Sequence, residues 1–280
     1  MTAQPSLRRR RLVGALKRLR EQAGLTLAEA GKAAGFSEAK VSRIETFAVQ
    51  LSGDDAYALA IALGADEDTA NSLVILARSA KKRDWWHDAY QDKGIGRFTD
   101  FLELEDDARH LFGFQQTLIP GRLQTRAYAE AVIRTGLPDA EDEEIERRVQ
   151  LRMDRQKRNS VPFWTVIDES VLWRPMGDRA VMAEQLDHLA AAAGKPGTTV
   201  QIIPQSATGY PPISTSFMVL VLNDGAVFAY LDTLTGGLFV EAPEEVEAYE
   251  AARSRLQAVA LDFDASAKLV RQARDEHRRT

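Results

Sequence analysis

The chain has 280 residues, a formal net charge of −5, 45% hydrophobic residues and no cysteine. The lack of cysteine excludes disulfides, thiolate nucleophiles and cysteine-ligated zinc sites, and the length favours about two domains. The sequence shows no apolar run long enough to cross a bilayer, and its N-terminus lacks the apolar stretch of a signal peptide. We therefore expect a cytoplasmic protein without a membrane partner.

Charge is distributed unevenly along the chain. Residues 1–50 carry ten basic side chains against four acidic ones, a balance of +6, which leaves −11 for residues 51–280. A basic segment suits contact with phosphates, whereas the acidic remainder would be repelled by nucleic acid. The two parts are therefore expected to serve different partners.

A first helix is predicted from Leu7 to Ala23, because its leucines fall on one stripe and Gly24 can end it. Its first turn contains the basic run Arg8–Arg11. This run has two interpretations, an arm that reaches phosphates or an adjacent minor groove, or a solvated helix start. Under the first interpretation, Arg9 and Arg10 are candidates for phosphate binding.

Residues 25–46 are predicted to form two short helices joined by a tight turn. Thr26 is a good N-cap, and Glu29 three residues later completes a capping box. Gly35 ends the first helix, and Ser37 caps the second. A helical hairpin in an ordinary core remains the alternative to a DNA-binding motif.

Gly31 lies in the middle of the first of these helices, where glycine costs about 1 kcal/mol relative to alanine. A close approach of the second helix would explain it. The segment, with its capped start, glycine turn and the run S-E-A-K-V-S-R-I-E, resembles the helix-turn-helix of the phage-repressor and Cro class, also called the xenobiotic response element family. This resemblance implies that the exposed face of the second helix contacts base edges, through Glu38, Ala39, Lys40 and Arg43.

The same resemblance implies contacts to the DNA backbone and one structural ion pair. With Arg9 and Arg10 of the basic run added, the candidates for phosphate binding are Arg9, Arg10, Thr26, Leu27, Ser37, Ser42 and Thr46. Leu27 departs from the glutamine of many relatives, so only its backbone N–H can serve. Arg20 and Glu45 correspond to positions that form an ion pair between the first and third helices. Since one short helix reads few bases, we expect a homodimer on a two-fold related operator of double-stranded DNA.

Two further helices, opened by Asp54 and by Asp66 or Asp68, would complete a helix-turn-helix domain over residues 1–80. Residues 81–110 are predicted to be linker helices. In this linker, the basic cluster Lys81-Lys82-Arg83 and the tryptophans Trp85 and Trp86 mark a boundary, and a helix runs from about Thr99 to His110. The acidic run from Glu103 to Asp107 is interpreted as a solvated helix face.

The fold class that follows is an all-α domain of about five helices and then an α+β domain over residues 111–280. Strand-like composition recurs at 111–118, 163–168, 199–203, 216–222, 226–230 and 238–240. Helical patterns occupy 122–136, 141–159, 178–193 and 243–260. Asn223-Asp224-Gly225 is predicted to be a hairpin turn.

Catalytic signals are weak in this second domain, and we expect no enzyme activity. Asp168, Ser170 and His188 lie in one region, but no G-x-S-x-G elbow or glycine-rich phosphate loop frames them. The four histidines are too widely spread for a metal motif, so neither a metal nor a cofactor is expected. The alternative to a protein-binding domain is a small-molecule sensor with an aromatic pocket. Its candidate residues, which serve equally well as an ordinary core, are Phe163, Trp173, Tyr210, Phe217, Tyr230 and Phe239.

A second resemblance spans the chain from about residue 8 to residue 270. The stretches that carry it are WWHD (85–88), LIPGRLQTRAYAEAVI (118–133), RRVQLRMDRQ (147–156), FWTVIDESVLWRP (163–175), VQIIP (200–204) and YLDTLTGGLFVEAPEEVEAY (230–249). Their order is similar to that in Scr1-type antitoxin-like transcriptional regulators. The resemblance implies a DNA-binding regulator without established catalytic activity. It also implies that the C-terminal domain engages a small, separately encoded partner protein.

Overall fold

The computed structural model describes residues 5–81, 98–158, 160–210, 213–233 and 236–279. Apart from Lys81, the residues of the predicted boundary, Lys82-Arg83 and Trp85-Trp86, lie outside the described residues. The chain divides into an N-terminal unit, residues 1–107 with 222–226, and a C-terminal unit, residues 108–221 and 227–280. None of the helices in the described ranges is long and apolar enough to span a membrane.

The N-terminal unit is helical, as predicted. Its described helices are α1 (Leu7–Gln22), α2 (Leu27–Ala34), α3 (Glu38–Glu45), α4 (Gly53–Ala62), α5 (Glu67–Ser79) and α6 (Phe98–Asp107). Helices α1 to α5 each begin after a Ser, Thr or Asp whose side chain accepts a hydrogen bond from a backbone N–H three residues later. For α4 this residue is Ser52 and not Asp54. Leu12 and Leu16 of α1 share one core with Ile44 and Leu59.

Helix α6 packs against α1 through buried charged side chains, which corrects the expectation that its acidic run is solvated. Arg8 is only 2% exposed, and its Nε donates to Asp107 Oδ2 at 2.6 Å. The Arg8 backbone N–H donates to Glu103 Oε2 at 3.0 Å. Glu103, Glu105 and Asp107 are all buried, so the acidic run is not a solvated face. Its carboxylates face a guanidinium of α1 because each buried charge needs a partner.

The arm interpretation of the arginine run is wrong for two of its members. Arg8 is enclosed by the acidic residues of α6. Arg11 donates from Nη2 to Asp224 Oδ2 at 2.8 Å, and the two side chains are 10% and 8% exposed. Guanidinium groups held in buried ion pairs are not available to nucleic acid.

The C-terminal unit contains a six-stranded mixed sheet, which confirms the predicted fold class. Its strands are β1 (Ala108–Gln115), β2 (Phe163–Asp168), β3 (Thr198–Ile203), β4 (Phe217–Leu222), β5 (Val227–Thr233) and β6 (Gly236–Val240), the last residue of β4 being counted with the N-terminal unit. The order in the sheet is β3-β2-β1-β4-β5-β6. Strand β2 pairs parallel with β1 and β3, whereas β5 pairs antiparallel with β4 and β6. The predicted helix to His110 ends earlier, at Asp107, because β1 begins at Ala108.

Helices cover this sheet. They are α7 (Arg126–Gly136), α8 (Asp142–Arg158), α9 (Ser170–Trp173), α10 (Arg179–Ala193), α11 (Pro243–Val259) and α12 (Phe263–Arg278), and a 3-10 turn spans Gly121–Leu123. Phe114, Val166 and Phe217 of the central strands pack with Leu256 of α11 in one core. The hairpin turn between β4 and β5 has Gly225 at φ 86°, a conformation that glycine adopts without strain.

Candidate nucleic-acid interface

The turn between α2 and α3 brings the two helices into close contact at Gly31. A Cβ atom at this position would lie 2.9 Å from the Phe36 carbonyl oxygen and 3.3 Å from the backbone nitrogen of Glu38. The Phe36 N–H donates to the Gly31 carbonyl at 2.7 Å. Gly35 ends α2 at φ 72°, in the left-handed region. Glycine at 31 and 35 therefore fixes the angle at which α3 leaves the turn.

The N-terminus of α2 is closed by a capping box between Thr26 and Glu29. Glu29 Oε2 accepts from the Thr26 backbone N–H at 2.8 Å, and Thr26 Oγ1 accepts from the Glu29 N–H at 3.3 Å. These hydrogen bonds lower the pKa of Glu29, because they favour the ionised carboxylate. Leu27, half-buried, is the first residue of α2. The first backbone N–H groups of a helix suit a phosphate oxygen.

Helix α3 has one buried face and one exposed face. Val41 and Ile44 are each 1% exposed. The opposite face carries the residues that are predicted to read bases or to bind phosphate. Those that are exposed to solvent are Ser37, Glu38, Ala39, Arg43 and Thr46. The eight residues of α3 thus present a short polar surface anchored by a hydrophobic one.

Arg43 and Lys40, two of the predicted base-reading residues, differ in whether their charge is already paired. Arg43 is exposed, and its Nε donates to the carbonyl of Ala39 in the same helix at 3.2 Å. Arg43 forms no ion pair with any residue that the structure describes, so its charge is available. Lys40, in contrast, is half-buried, with Nζ 3.0 Å from Asp55 Oδ1 and 3.6 Å from the centre of the Phe36 ring.

An ion pair joins α1 to α3 at the two residues for which the sequence predicts one. Arg20 Nε and Nη2 donate to the two carboxylate oxygens of Glu45 at 2.6 and 3.0 Å. Arg20 Nη1 also donates to the Leu25 carbonyl at 2.9 Å. Each side chain of the pair is 14% exposed, and the hydrogen bond to Glu45 raises the pKa of Arg20. This bidentate pair holds α3 against α1.

The remaining candidates for phosphate binding occupy different environments. Arg9 Nη2 donates to the Phe47 carbonyl at 2.6 Å, and the described part of the chain offers its charge no counter-ion. Arg10 Nη2 lies 2.6 Å from Asp100 Oδ2 of α6. Ser42 is half-buried, and its carbonyl accepts from the hydroxyl of Thr46. Lys32 of α2 is a further candidate for phosphate binding that the sequence did not indicate. It is exposed and forms no ion pair among the described residues. Its local sequence is the same as that of an ordinary solvated lysine.

The residues considered for catalysis in the C-terminal unit do not form a nucleophile–base pair. Ser170 Oγ donates to Asp168 Oδ1 at 2.5 Å. His188 forms no hydrogen bond with the described part of the chain, and burial lowers its pKa. Glu169 accepts from the indole N–H of Trp173 at 3.0 Å and from the backbone N–H of Gln205 at 2.7 Å. These contacts stabilise the segment that follows β2.

The aromatic residues considered for a sensor pocket are distributed over several sites. Phe217 and Tyr210 pack in the main core of the sheet. Tyr230 and Phe239 pack on each other, with ring centres 5.0 Å apart. Phe163 lines a cavity of about 160 Å³ together with residues such as Trp164 and Arg253. Of the six aromatic residues, Phe163 alone lines this cavity.

Two protein-family models match different parts of the chain. Residues 11–73 match a helix-turn-helix domain, which indicates a DNA-binding regulator, and residues 98–272 match a domain of unknown function, DUF5753. No curated protein and no solved structure gave a significant match. Since the second match covers more than half of its length, the chain belongs to the DUF5753 family, here with a helix-turn-helix domain before it.

Proposed function

We propose that the protein is a sequence-specific transcriptional regulator that places α3 in the major groove of DNA. The observation that carries this proposal is the division of α3 into a buried apolar face and an exposed polar one. Its orientation is held by the contact at Gly31 and by the Arg20–Glu45 pair. Arg43, which has no ion pair within the described ranges, would donate two hydrogen bonds to a guanine, while Glu38 would accept from a cytosine amino group.

The base-reading role of Arg43 is tested by replacing it with alanine. We expect Arg43→Ala to weaken binding to a selected operator by about 1–3 kcal/mol and to relax the preference at one base position. Arg134→Ala is the matched control, because Arg134 is an exposed arginine of α7 in the other unit and is already paired with Glu130. Fluorescence anisotropy with a set of single-base operator variants measures both effects. Unchanged affinity and unchanged base preference would remove Arg43 from the interface.

We propose further that the protein binds as a homodimer. Helix α3 has eight residues and can contact only a few base pairs, so two copies are needed for a specific site. Half-sites of such dimers lie about 34 Å apart, one turn of DNA. Inserting about 5 base pairs between the half-sites rotates one of them by half a turn and should abolish tight binding. Equal affinity for the spaced operator, or a monomeric complex in sedimentation, would contradict the dimer.

For the C-terminal unit we propose a regulatory role without catalysis, in which it binds a small, separately encoded partner protein. The proposal is supported by the resemblance to antitoxin-like regulators and by the net charge of −4 of residues 108–280, which does not favour DNA as the ligand of this unit. Binding of the partner would change operator affinity by a coupling free energy of about 1–3 kcal/mol. Titration of operator with the full chain, with and without saturating purified partner, tests this. Equal affinities would mean that the partner is only captured, and would contradict the regulatory role.

A further inference from the structure

A cavity of about 160 Å³ lies on one face of the sheet, near the start of strands β1, β2 and β3. Phe112, Trp164 and Thr199 line it and are register partners on these three neighbouring strands, so their side chains share one face. Val219 and Val221 extend the lining onto β4, the neighbour of β1 on its other side. The cavity therefore has a floor built from four adjacent strands of the C-terminal unit.

Helix α11 places one cation over this floor. Leu256 of α11 is fully buried in the core of the sheet, and Arg253 precedes it by three residues, on the same side of the helix. The guanidinium carbon of Arg253 lies 5.5 Å from the centre of the Phe112 ring. A guanidinium over an aromatic ring keeps its N–H donors available, because they lie in its own plane. Arg253 therefore adds hydrogen-bond donors to an otherwise apolar wall.

The described residues do not neutralise the charge of Arg253. Its side chain forms no ion pair and no hydrogen bond with them, and Glu250, one helical turn earlier, is exposed and unpaired with it. The residues that line the cavity include no aspartate and no glutamate. The other polar side chains there are His110 and Thr199, and within the described ranges the Thr199 hydroxyl forms no hydrogen bond. Charge complementarity therefore favours an anionic group on the ligand.

The size and lining of the cavity restrict the apolar part of that ligand. An apolar cavity of about 150 Å³ holds one benzene molecule. The volume here is therefore suited to a single six-membered ring and too small for a fused pair. The rings of Phe112 and Trp164 offer aromatic surface to a planar group. Phe112 and Val219 are buried in the core of the sheet, so this part of the floor is held in place before any ligand arrives.

We propose that this cavity binds a small aromatic carboxylate, with the ring against Phe112 and Trp164 and the carboxylate paired with Arg253. The two parallel N–H donors of a guanidinium match the two oxygens of a carboxylate. The Thr199 hydroxyl and the His110 ring supply further hydrogen-bonding groups in the same cavity. This site goes beyond the proposed DNA and partner-protein functions and does not depend on either.

Benzoate is the probe that tests the site in the full chain. We expect benzoate, at constant ionic strength, to bind saturably with a Kd of about 1 mM or tighter and to shift the methyl NMR signals of Val219 and Val221. Benzamide has nearly the same shape without the charge and should bind about tenfold more weakly, the value for losing a charge-assisted hydrogen bond. The cation benzamidine should not bind. 2-Naphthoate, which carries the same charge on a fused ring pair, should bind more weakly than benzoate.

Three substitutions test the residues. Arg253→Gln should weaken benzoate binding about tenfold or more. Arg255→Gln is the matched control, because Arg255 is an exposed residue of the same helix without an ion pair among the described residues. It changes the net charge equally and should leave the affinity unchanged. Thr199→Phe adds a ring to the wall while Arg253 stays in place, and it should abolish the methyl shifts.

Several results would overturn the proposal. Equal affinities for benzoate and benzamide would show that no charge is recognised. Equal losses in Arg253→Gln and Arg255→Gln would reveal a general effect of net charge. Benzoate that binds without shifting the signals of Val219 and Val221, or that binds Thr199→Phe as tightly as the wild type, occupies another place. If Arg253→Gln does not fold, Arg253→Lys keeps the charge without the paired donors, and unchanged benzoate affinity in that variant contradicts the geometry.

Discussion

The buried Arg8 of α1 provides the most demanding test of the N-terminal unit. Arg8→Met would leave the carboxylate of Asp107, a residue that is 7% exposed, without its guanidinium partner. Removing one member of a buried ion pair costs about 3–5 kcal/mol, since an uncompensated charge remains. We expect the lower end, about 3 kcal/mol, because the Arg8 backbone N–H still donates to Glu103 in the variant.

This loss should be visible as a shift of one thermal transition. In a domain of 60–100 residues each kcal/mol corresponds to about 4–8 °C, so the melting temperature of the N-terminal unit should fall by about 12 °C or more. Differential scanning calorimetry of the full chain measures it, and the transition that operator DNA stabilises is the one to follow. Arg18→Met is the control, because Arg18 is an exposed residue of the same helix without an ion pair among the described residues. It should shift the transition by less than about 0.5 kcal/mol.

A second substitution separates charge from packing. Combining Arg8→Met with Asp107→Leu removes the stranded carboxylate, and apolar replacement of a buried pair is often neutral or stabilising. The double variant should therefore be more stable than Arg8→Met alone. If Arg8→Met and Arg18→Met lower the transition equally, or if the second substitution adds its own full loss, the network between α1 and α6 does not stabilise the unit as argued.

Three other predictions concern the helix-turn-helix. Gly31→Ala should destabilise the unit and weaken operator binding, because the new Cβ would lie 2.9 Å from a backbone oxygen. Gly14→Ala in α1 is the control, since the atom nearest to its Cβ would be 3.7 Å away, and denaturant unfolding should show a stabilisation of about 0.5–1 kcal/mol. The lowered pKa of Glu29 means that its capping box stabilises the folded unit at pH values above 4.5, and that this stability is lost as the pH falls through the pKa of Glu29 in the folded protein. Glu29→Gln should therefore make the free energy of unfolding depend less on pH in this acidic range. A pKa of Glu29 at or above 4.5 in an NMR titration would contradict this. Arg9→Gln should reduce the slope of log affinity against log salt by about 0.9 per protomer, and Arg10→Gln, already paired with Asp100, should leave it unchanged.

The helix-turn-helix could be predicted from sequence because its determinants are local. The capping box of Thr26 and Glu29 spans three residues, and Gly35 marks the end of α2 through its left-handed conformation. The strand segments of the C-terminal unit could be predicted from composition for the same reason, to within three residues at each end. The parallel pairing of β1, β2 and β3 could not be predicted, since strand order depends on contacts between distant segments.

Ion pairs between distant residues account for the wrong expectations about the basic and acidic runs. Arg8 and Glu103 are separated by 95 positions, and a basic run and an acidic run each have the composition of a solvated face when considered alone. The structure shows that neither face is solvated there, because Arg8 of the basic run and Asp107 of the acidic run are buried together as an ion pair.

These ion pairs also change how the charge of the N-terminal segment bears on DNA binding. The balance of +6 in residues 1–50 counts Arg8, Arg10, Arg11 and Lys40 as free cations, yet each is held by an aspartate from beyond residue 50. The long-range attraction to phosphates is therefore weaker than the sequence count implies. Binding must then depend more on short-range contacts, namely the N-terminal backbone N–H groups of α2 and α3 and the exposed Arg43. Such contacts require an aligned helix, so the proposed operator binding predicts that the Arg20–Glu45 pair and the glycine contact at the turn directly affect operator affinity.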